Sequence, residues 1–202
     1  MARYTGPKHK LCRRLGECIW NNPNCPSLKR PVPPGQHGAN VRRKKSVYGT
    51  QLLQKQKLKM HYGLMEKQLR KTFAKAKTMG GVTDANLLML LESRLDCVVY
   101  RLGFANSMRA ARQLVSHCHI EMNGKKVNIP SAHVAIGDSI AIREKSRKIP
   151  MVSNGAESPH TMIPEYLERP SGAFEGKLTA TPQLDTIPFK VDTQAIIGFY
   201  SR

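Results

Sequence analysis

Residues 101–148 read RLGFANSMRAARQLVSHCHIEMNGKKVNIPSAHVAIGDSIAIREKSRK, and a change of period inside this stretch decides the fold. Ser107 stands where a helix N-cap would accept a hydrogen bond from a first-turn amide. Ala110, Ala111, Leu114 and Val115 follow at helical spacing, while Arg109 and Arg112 share another face. Asn123-Gly124 is a strong short hairpin signal, joining 120–122 to 125–129. Gly137-Asp138 makes a second turn before a strand over 139–143. The expectation is a small helix-plus-sheet body with a cationic rim of Arg101, Arg109, Arg112, Lys125 and Lys126. It contains no acid–base pair or nucleophile, so it reads as a surface that grips folded RNA.

Charge points the same way. The 202 residues hold 33 Lys+Arg against 14 Asp+Glu, a formal net of +19. Such an excess repels itself unless a polyanion offsets it. Residues 1–50 carry 11 basic residues against one acidic, and 151–202 carry four against six. The RNA face therefore falls in the first three-quarters, and the tail faces protein. No apolar run approaches the roughly 20 residues of a membrane span, and residues 1–4 lack a signal peptide's apolar core. A cytoplasmic chain with no membrane partner is expected. Membrane-surface binding would call for an exposed aromatic on an amphipathic helix, but the single Trp20 lies among cysteines.

Outward from the central stretch, four segments are expected. Residues 1–47 form a basic N-terminal extension with six of the 13 prolines; Pro33-Pro34-Gly35-Gln36-His37-Gly38 is a rigid turn, and the segment takes its shape against RNA. Residues 48–91 are helical: the spacing predicts helices over 51–61, ended by Gly63, and over 65–78, ended by Gly80-Gly81. A third, capped by Thr83, is read as running unbroken to 102. Residues 92–149 form the helix-and-hairpin module. Residues 150–202 are read as irregular, with strands or loops at 161–167, 176–180 and 189–191 and a short helix, Thr193–Tyr200, packing back on the body. The fold class is α+β: a mostly helical first domain with a Pro-rich basic extension, plus a small helix-and-sheet RNA-binding module.

His9, Cys12, Cys18 and Cys25 offer four zinc donors within 17 residues. A structural Zn2+ needs four such donors, and a Pro-rich segment without its own core gains most from a clamp. Free cysteines packed as small apolar groups are the alternative; disulfides conflict with the cytoplasmic reading. Cys97 and Cys118 sit in apolar patterns and are expected in the core. Arg42, Arg43, Lys44 and Lys45, followed by Lys55, Lys57 and Lys59, suit a strand-binding channel in which cations follow phosphates without reading bases. The histidines have no companion suggesting a triad, and no glycine-rich phosphate loop is present. No enzyme and no small-molecule substrate are expected.

Taken together, ARYTGP at 2–7, PPGQHG at 33–38, KQKLK at 55–59, LLESRLDCVVYRLGFA at 90–105, ARQLVSHCHIEMNGKKV at 111–127, GDSIAIREKSR at 137–147 and FYSR at 199–202 closely resemble the family of bacterial small-subunit ribosomal protein four. That resemblance implies a structural protein of the small ribosomal subunit that binds small-subunit ribosomal RNA at a multi-helix junction early in assembly. It implies that Arg94, Arg101, Arg109, Arg112, His117, Asn123, Gly124 and Lys125 face RNA. With Lys126, the remaining positions expected on ribosomal RNA are Arg3, Arg13, Arg14, His37, Lys55, Lys57, Lys59 and Arg70. Arg42, Arg43, Lys44 and Lys45 match the family's stretch at the messenger RNA entrance. Small-subunit ribosomal proteins five and three are implied partners; the interface with protein five, which bears on decoding accuracy, would fall on the C-terminal quarter. Zinc-bearing members have four N-terminal cysteines; here Cys12 and Cys25 align, His9 replaces a third and Cys18 aligns across a gap. Some members also repress translation of their own operon.

Overall fold

The computed structural model describes residues 4–20, 22–40 and 46–201. In chain order its helices are α1 (His9–Leu15), α2 (Pro26–Lys29), α3 (Val47–His61), α4 (Glu66–Thr78), α5 (Thr83–Glu92), α6 (Leu95–Arg101), α7 (Met108–Ser116), α8 (Pro150–Glu157) and α9 (Thr193–Tyr200). The strands are β1 (Ile120–Met122), β2 (Lys125–Val127), β3 (Ser139–Ile142), β4 (Leu167–Glu168) and β5 (Glu175–Leu178). The architecture is α+β. The chain divides into one unit of residues 1–71 and 191–202 and a second of residues 72–190.

In the first unit, Ser46 caps α3 by accepting from the Gly49 amide at 3.1 Å, so the helix starts four residues before the expected Gln51. Its end is a Schellman turn, with Leu64 N–H donating to Lys59 O (2.9 Å) and Gly63 N–H to Met60 O (3.2 Å). Asp192 caps α9, accepting from Ala195 N–H at 3.0 Å, and α9 packs along α3 with Ile196 fully buried. The Tyr48 and Phe199 rings meet at 5.6 Å between centroids across this contact. The short α1 ends at Gly16, whose amide returns to Cys12 O at 2.8 Å. His61, buried in α3, bonds the Ile19 carbonyl through Nδ1 at 3.0 Å and ties the cysteine loop to that helix.

The second unit departs from the expected unbroken helix over 83–102. Val82, not Thr83, is the N-cap of α5, and the helix stops at Ser93. Amides and carbonyls at the break pair elsewhere: Val134 N–H donates to Ser93 O (2.8 Å), Leu95 N–H to Ala132 O (2.9 Å) and Asp96 N–H to Pro130 O (3.1 Å). The Ser93 hydroxyl donates back to Met89 O at 2.7 Å, the kind of local bond that competes with helix continuation. Every residue from Leu90 to Ala105 is buried, so no polar stripe marks where one helix stops and the next begins.

Ser107 caps α7 as expected, accepting from Ala110 N–H at 3.2 Å. The sheet is antiparallel, in the order β2-β1-β3-β5-β4. Asn123 and Gly124 both take positive φ (51° and 73°), the primed turn whose twist suits the hairpin pairing Met122 with Lys125. Ile120, Ile140, Ile142 and Leu178 fill the buried side of the strands. Of the expected strands, 161–167 contributes only Leu167 to a ladder and 189–191 none.

The sequence also gives no sign of α8, whose Ser, Asn and Gly are weak helix formers. Its support is tertiary. Arg169 donates to Gly155 O (3.0 Å) and Ala156 O (3.3 Å), satisfying carbonyls at the helix C-terminus, and lies over the Phe104 ring. A Cβ on Gly155 would sit 2.3 Å from the Gly103 carbonyl oxygen, so only glycine permits this approach.

Candidate nucleic-acid interface

In the second unit, the caps and turns place the expected residues in three ways. Arg109 on α7, His117 just after it, and Asn123, Gly124, Lys125 and Lys126 on the β1–β2 hairpin are exposed. Arg94 and Arg112 are largely withdrawn around one carboxylate. Arg94 stands at the N-cap position of α6 without a side-chain cap bond and binds Asp96 in a fork, Nε–Oδ1 3.0 Å and Nη2–Oδ2 2.8 Å; Arg112 Nη1 lies 4.0 Å from Oδ2. Burial lowers the Arg112 pKa, Asp96 opposing and Arg94 adding to the effect.

Arg101 has left the rim altogether. It is 3 % exposed and paired with the fully buried Glu92, Nη2–Oε1 2.7 Å and Nε–Oε2 3.0 Å. The same carboxylate accepts from the Tyr166 hydroxyl and the Cys97 thiol, both at 3.0 Å. Burial, and then the Glu92 charge, push the Cys97 thiol well above its ordinary value and raise Tyr166 likewise. Cys97 is thus a core thiol as expected, whereas Cys118 is only half-buried and holds a positive φ of 63° at the turn after α7. Placing Arg101 on the surface missed Glu92 because their partnership spans nine residues and two helices.

The hairpin tip is braced from within. Asn123 accepts from Ser139 N–H (2.9 Å) and donates to Asp138 Oδ1 (2.8 Å), while Asp138 Oδ2 accepts from Ala135 N–H (2.7 Å). Asn123 therefore locks one turn to the other and presents Lys125 and Lys126. Arg143 pairs with Glu121 at 3.1 Å, and His119 bonds the Ser146 hydroxyl at 2.8 Å. Lys145, Arg147 and Lys148 are exposed cations beside them that sequence reasoning quoted without assigning.

In the first unit, Arg14, His37 and Arg70 are exposed, and Arg13 donates to Val32 O at 3.2 Å. The three helical lysines meet acids. Lys55, 5 % exposed, pairs with Glu66 (2.9 Å) beneath the Phe199 ring; Lys59 reaches the same carboxylate (3.3 Å) and Lys57 reaches Glu17 (2.7 Å). Arg3 and the run Arg42, Arg43, Lys44 and Lys45 lie outside the described residues.

His9, Cys12 and Cys25 offer donor atoms within 4.8 Å of one another. His9 Nδ1 is 3.1 Å from Cys25 Sγ, which also meets the Ser27 hydroxyl at 3.1 Å. Burial raises the Cys25 thiol, but hydrogen bonds from Ser27, Cys18 and Cys12 outweigh it and its pKa is lowered. Cys12, more deeply buried, is pushed up to about 12. Cys18 falls outside this tight trio; its sulfur accepts from Asn22 N–H at 3.3 Å.

Fold and surface together define an α+β protein whose helix-and-hairpin module displays fixed cations. The family model described as Ribosomal protein S4/S9 N-terminal domain matches residues 3–92, and the S4 domain model matches 93–140. The boundary falls at the break between α5 and α6. Proteins named small ribosomal subunit protein uS4 from Brevibacillus brevis, Geobacillus stearothermophilus and Thermoanaerobacter pseudethanolicus are 50, 48 and 46 % identical to the chain, each alignment covering all of both sequences. The chain belongs to this ribosomal protein S4 family. The family is one of ribosomal structural proteins of the bacterial cytoplasm, not of enzymes.

Proposed function

We propose that this chain is a structural constituent of the small ribosomal subunit that binds small-subunit ribosomal RNA where several helices meet and so nucleates assembly. The observation that carries the reading is the set of exposed cations, Arg109, Lys125 and Lys126, on a capped helix and a braced hairpin of the family's S4 domain. Arginine forks match phosphate geometry, and lysines supply point charges along the backbone. Each phosphate neutralised releases counterions, so rigid presentation converts net charge into fixed angles between RNA helices. Arg14, His37 and Arg70 extend the contact on the first unit. Arg42, Arg43, Lys44 and Lys45 line the messenger entrance. The C-terminal quarter, net acidic, meets small-subunit ribosomal protein five, through which it bears on decoding accuracy; small-subunit ribosomal protein three is a further partner.

A structural Zn2+ fits the N-terminal cluster: two thiols and an imidazole already converge. His9, Cys12 and Cys25 would hold it, with Cys18 as fourth donor. When bound, the ion cross-links α1 to the loop before α2; it takes no part in chemistry.

The test is filter binding of the purified chain to a transcript of the small-subunit junction across a series of salt concentrations. Replacing Lys125 and Lys126 by Ala should weaken binding and lower the log–log salt slope by roughly 1.4–1.8, the value for two lost phosphate contacts. An unchanged slope would remove the hairpin from the interface.

A further inference from the structure

Asp96 is a buried acid among basic side chains. It is 1 % exposed; Arg94 from the break before α6 grips both its oxygens, and Arg112 from α7 lies 4.0 Å from Oδ2. Both arginines keep a little solvent exposure, 10 and 13 % of their side chains. One carboxylate faces two guanidiniums, so the group carries net positive charge in a partly desolvated place. A long, flexible arginine loses considerable rotamer freedom when it grips a phosphate. Arg94, hydrogen-bonded to the buried carboxylate, and Arg112, drawn towards it at ion-pair distance, have lost part of that freedom beforehand.

We propose that Asp96 is a positioning residue for RNA: it holds Arg94 and Arg112 so that the exposed edge of Arg112, next to Arg109 on α7, meets a phosphodiester. This rests on the RNA-binding reading above and deepens it. The consequence opposes simple charge counting. Removing an acid from a basic surface ordinarily strengthens attraction to a polyanion; here it releases the fork and weakens it.

The experiment compares the wild-type chain with D96N, R112K and, as a charge control, E157Q, whose carboxylate is exposed on α8. Binding to the junction transcript is measured across salt, with far-UV circular dichroism reporting the fold. D96N should bind roughly tenfold more weakly, the worth of one charge-assisted hydrogen bond. Its salt slope should fall by roughly 0.7–0.9, one phosphate contact. E157Q should bind as well as wild type or better. R112K keeps the charge but loses the planar guanidinium that would face the phosphate, and should also bind more weakly. Equal or tighter binding by a folded D96N overturns the proposal. Should D96N fail to fold, R112K decides: weaker binding sustains the placement of the Arg112 guanidinium on the phosphate, and unchanged binding overturns the proposal. Failure of the wild-type chain to bind would instead overturn the RNA-binding reading itself.

Discussion

Replacing Glu92 by Ala should be among the most damaging single changes in the second unit. The carboxylate is fully buried and accepts four bonds, two from Arg101, one from Tyr166 and one from Cys97. Its loss leaves the Arg101 guanidinium, 3 % exposed, as an uncompensated charge. Breaking a buried ion pair in this way costs about 3–5 kcal/mol, and the stranded Tyr166 hydroxyl adds about 1 kcal/mol more. Against a domain stability of about 5–15 kcal/mol, that is a large share. In urea, with a slope near 2 kcal/mol per molar, the unfolding midpoint should drop by about 2–3 M. Two probes read it: far-UV circular dichroism, and alkylation of Cys97, a thiol with no exposure in the folded chain. Replacing both partners, Glu92→Leu with Arg101→Met, removes both charges and should recover much of the loss. A midpoint shift for E92A below about 0.5 M, or a double variant less stable than E92A, would refute the reasoning.

Other outcomes follow from single features. The Glu66 carboxyl is raised by burial, but bonds from Lys55 and Tyr200 outweigh this and hold it below its ordinary value of 4.5. Its stabilisation is therefore present above that value and lost as pH falls through the lower, folded one. Acid titration of stability should be shallower in E66Q than in wild type, and identical curves would count against the pairing. Gly155→Ala sets about 1 kcal/mol of helix propensity against a Cβ 2.3 Å from the Gly103 carbonyl. Backbone on both sides leaves nowhere to yield, so the clash should win by about 1–3 kcal/mol and lower the melting temperature; a raised one would contradict the close approach. Elemental analysis of the purified chain should find close to one zinc, lost in C25S, and its absence from wild type would return the cluster to packed free thiols.

What the sequence disclosed was local. Ser107 could be read as a cap because the amide it serves is three residues away, and Asn123-Gly124 as a turn because two positive φ values suit those residue types. The apolar stripe of α9 was visible for the same reason. The unread parts depend on partners far along the chain. The break at Ser93 is made by residues 130–134, and α8 is held by Arg169. Arg101 looked like rim because a cation carries no mark of the buried acid awaiting it. The same limit hid Asp96, whose importance appears only when α7 is laid against α6. The Cys118 pattern was apolar on paper, yet its backbone turns out of the core at a positive φ.

The helix that covers α3 belongs to residues 191–202, whereas α3 itself lies within residues 1–71. During vectorial synthesis the first part of the protein must wait for its closing piece while 72–190 are polymerised. At about 5–20 residues per second that delay is roughly 6–24 s. Until then the sides of Lys55 and Tyr48 that meet Phe199 stay bare. An abandoned nascent fragment, lacking its last dozen residues, would display that bare face indefinitely and so mark itself for chaperones or degradation.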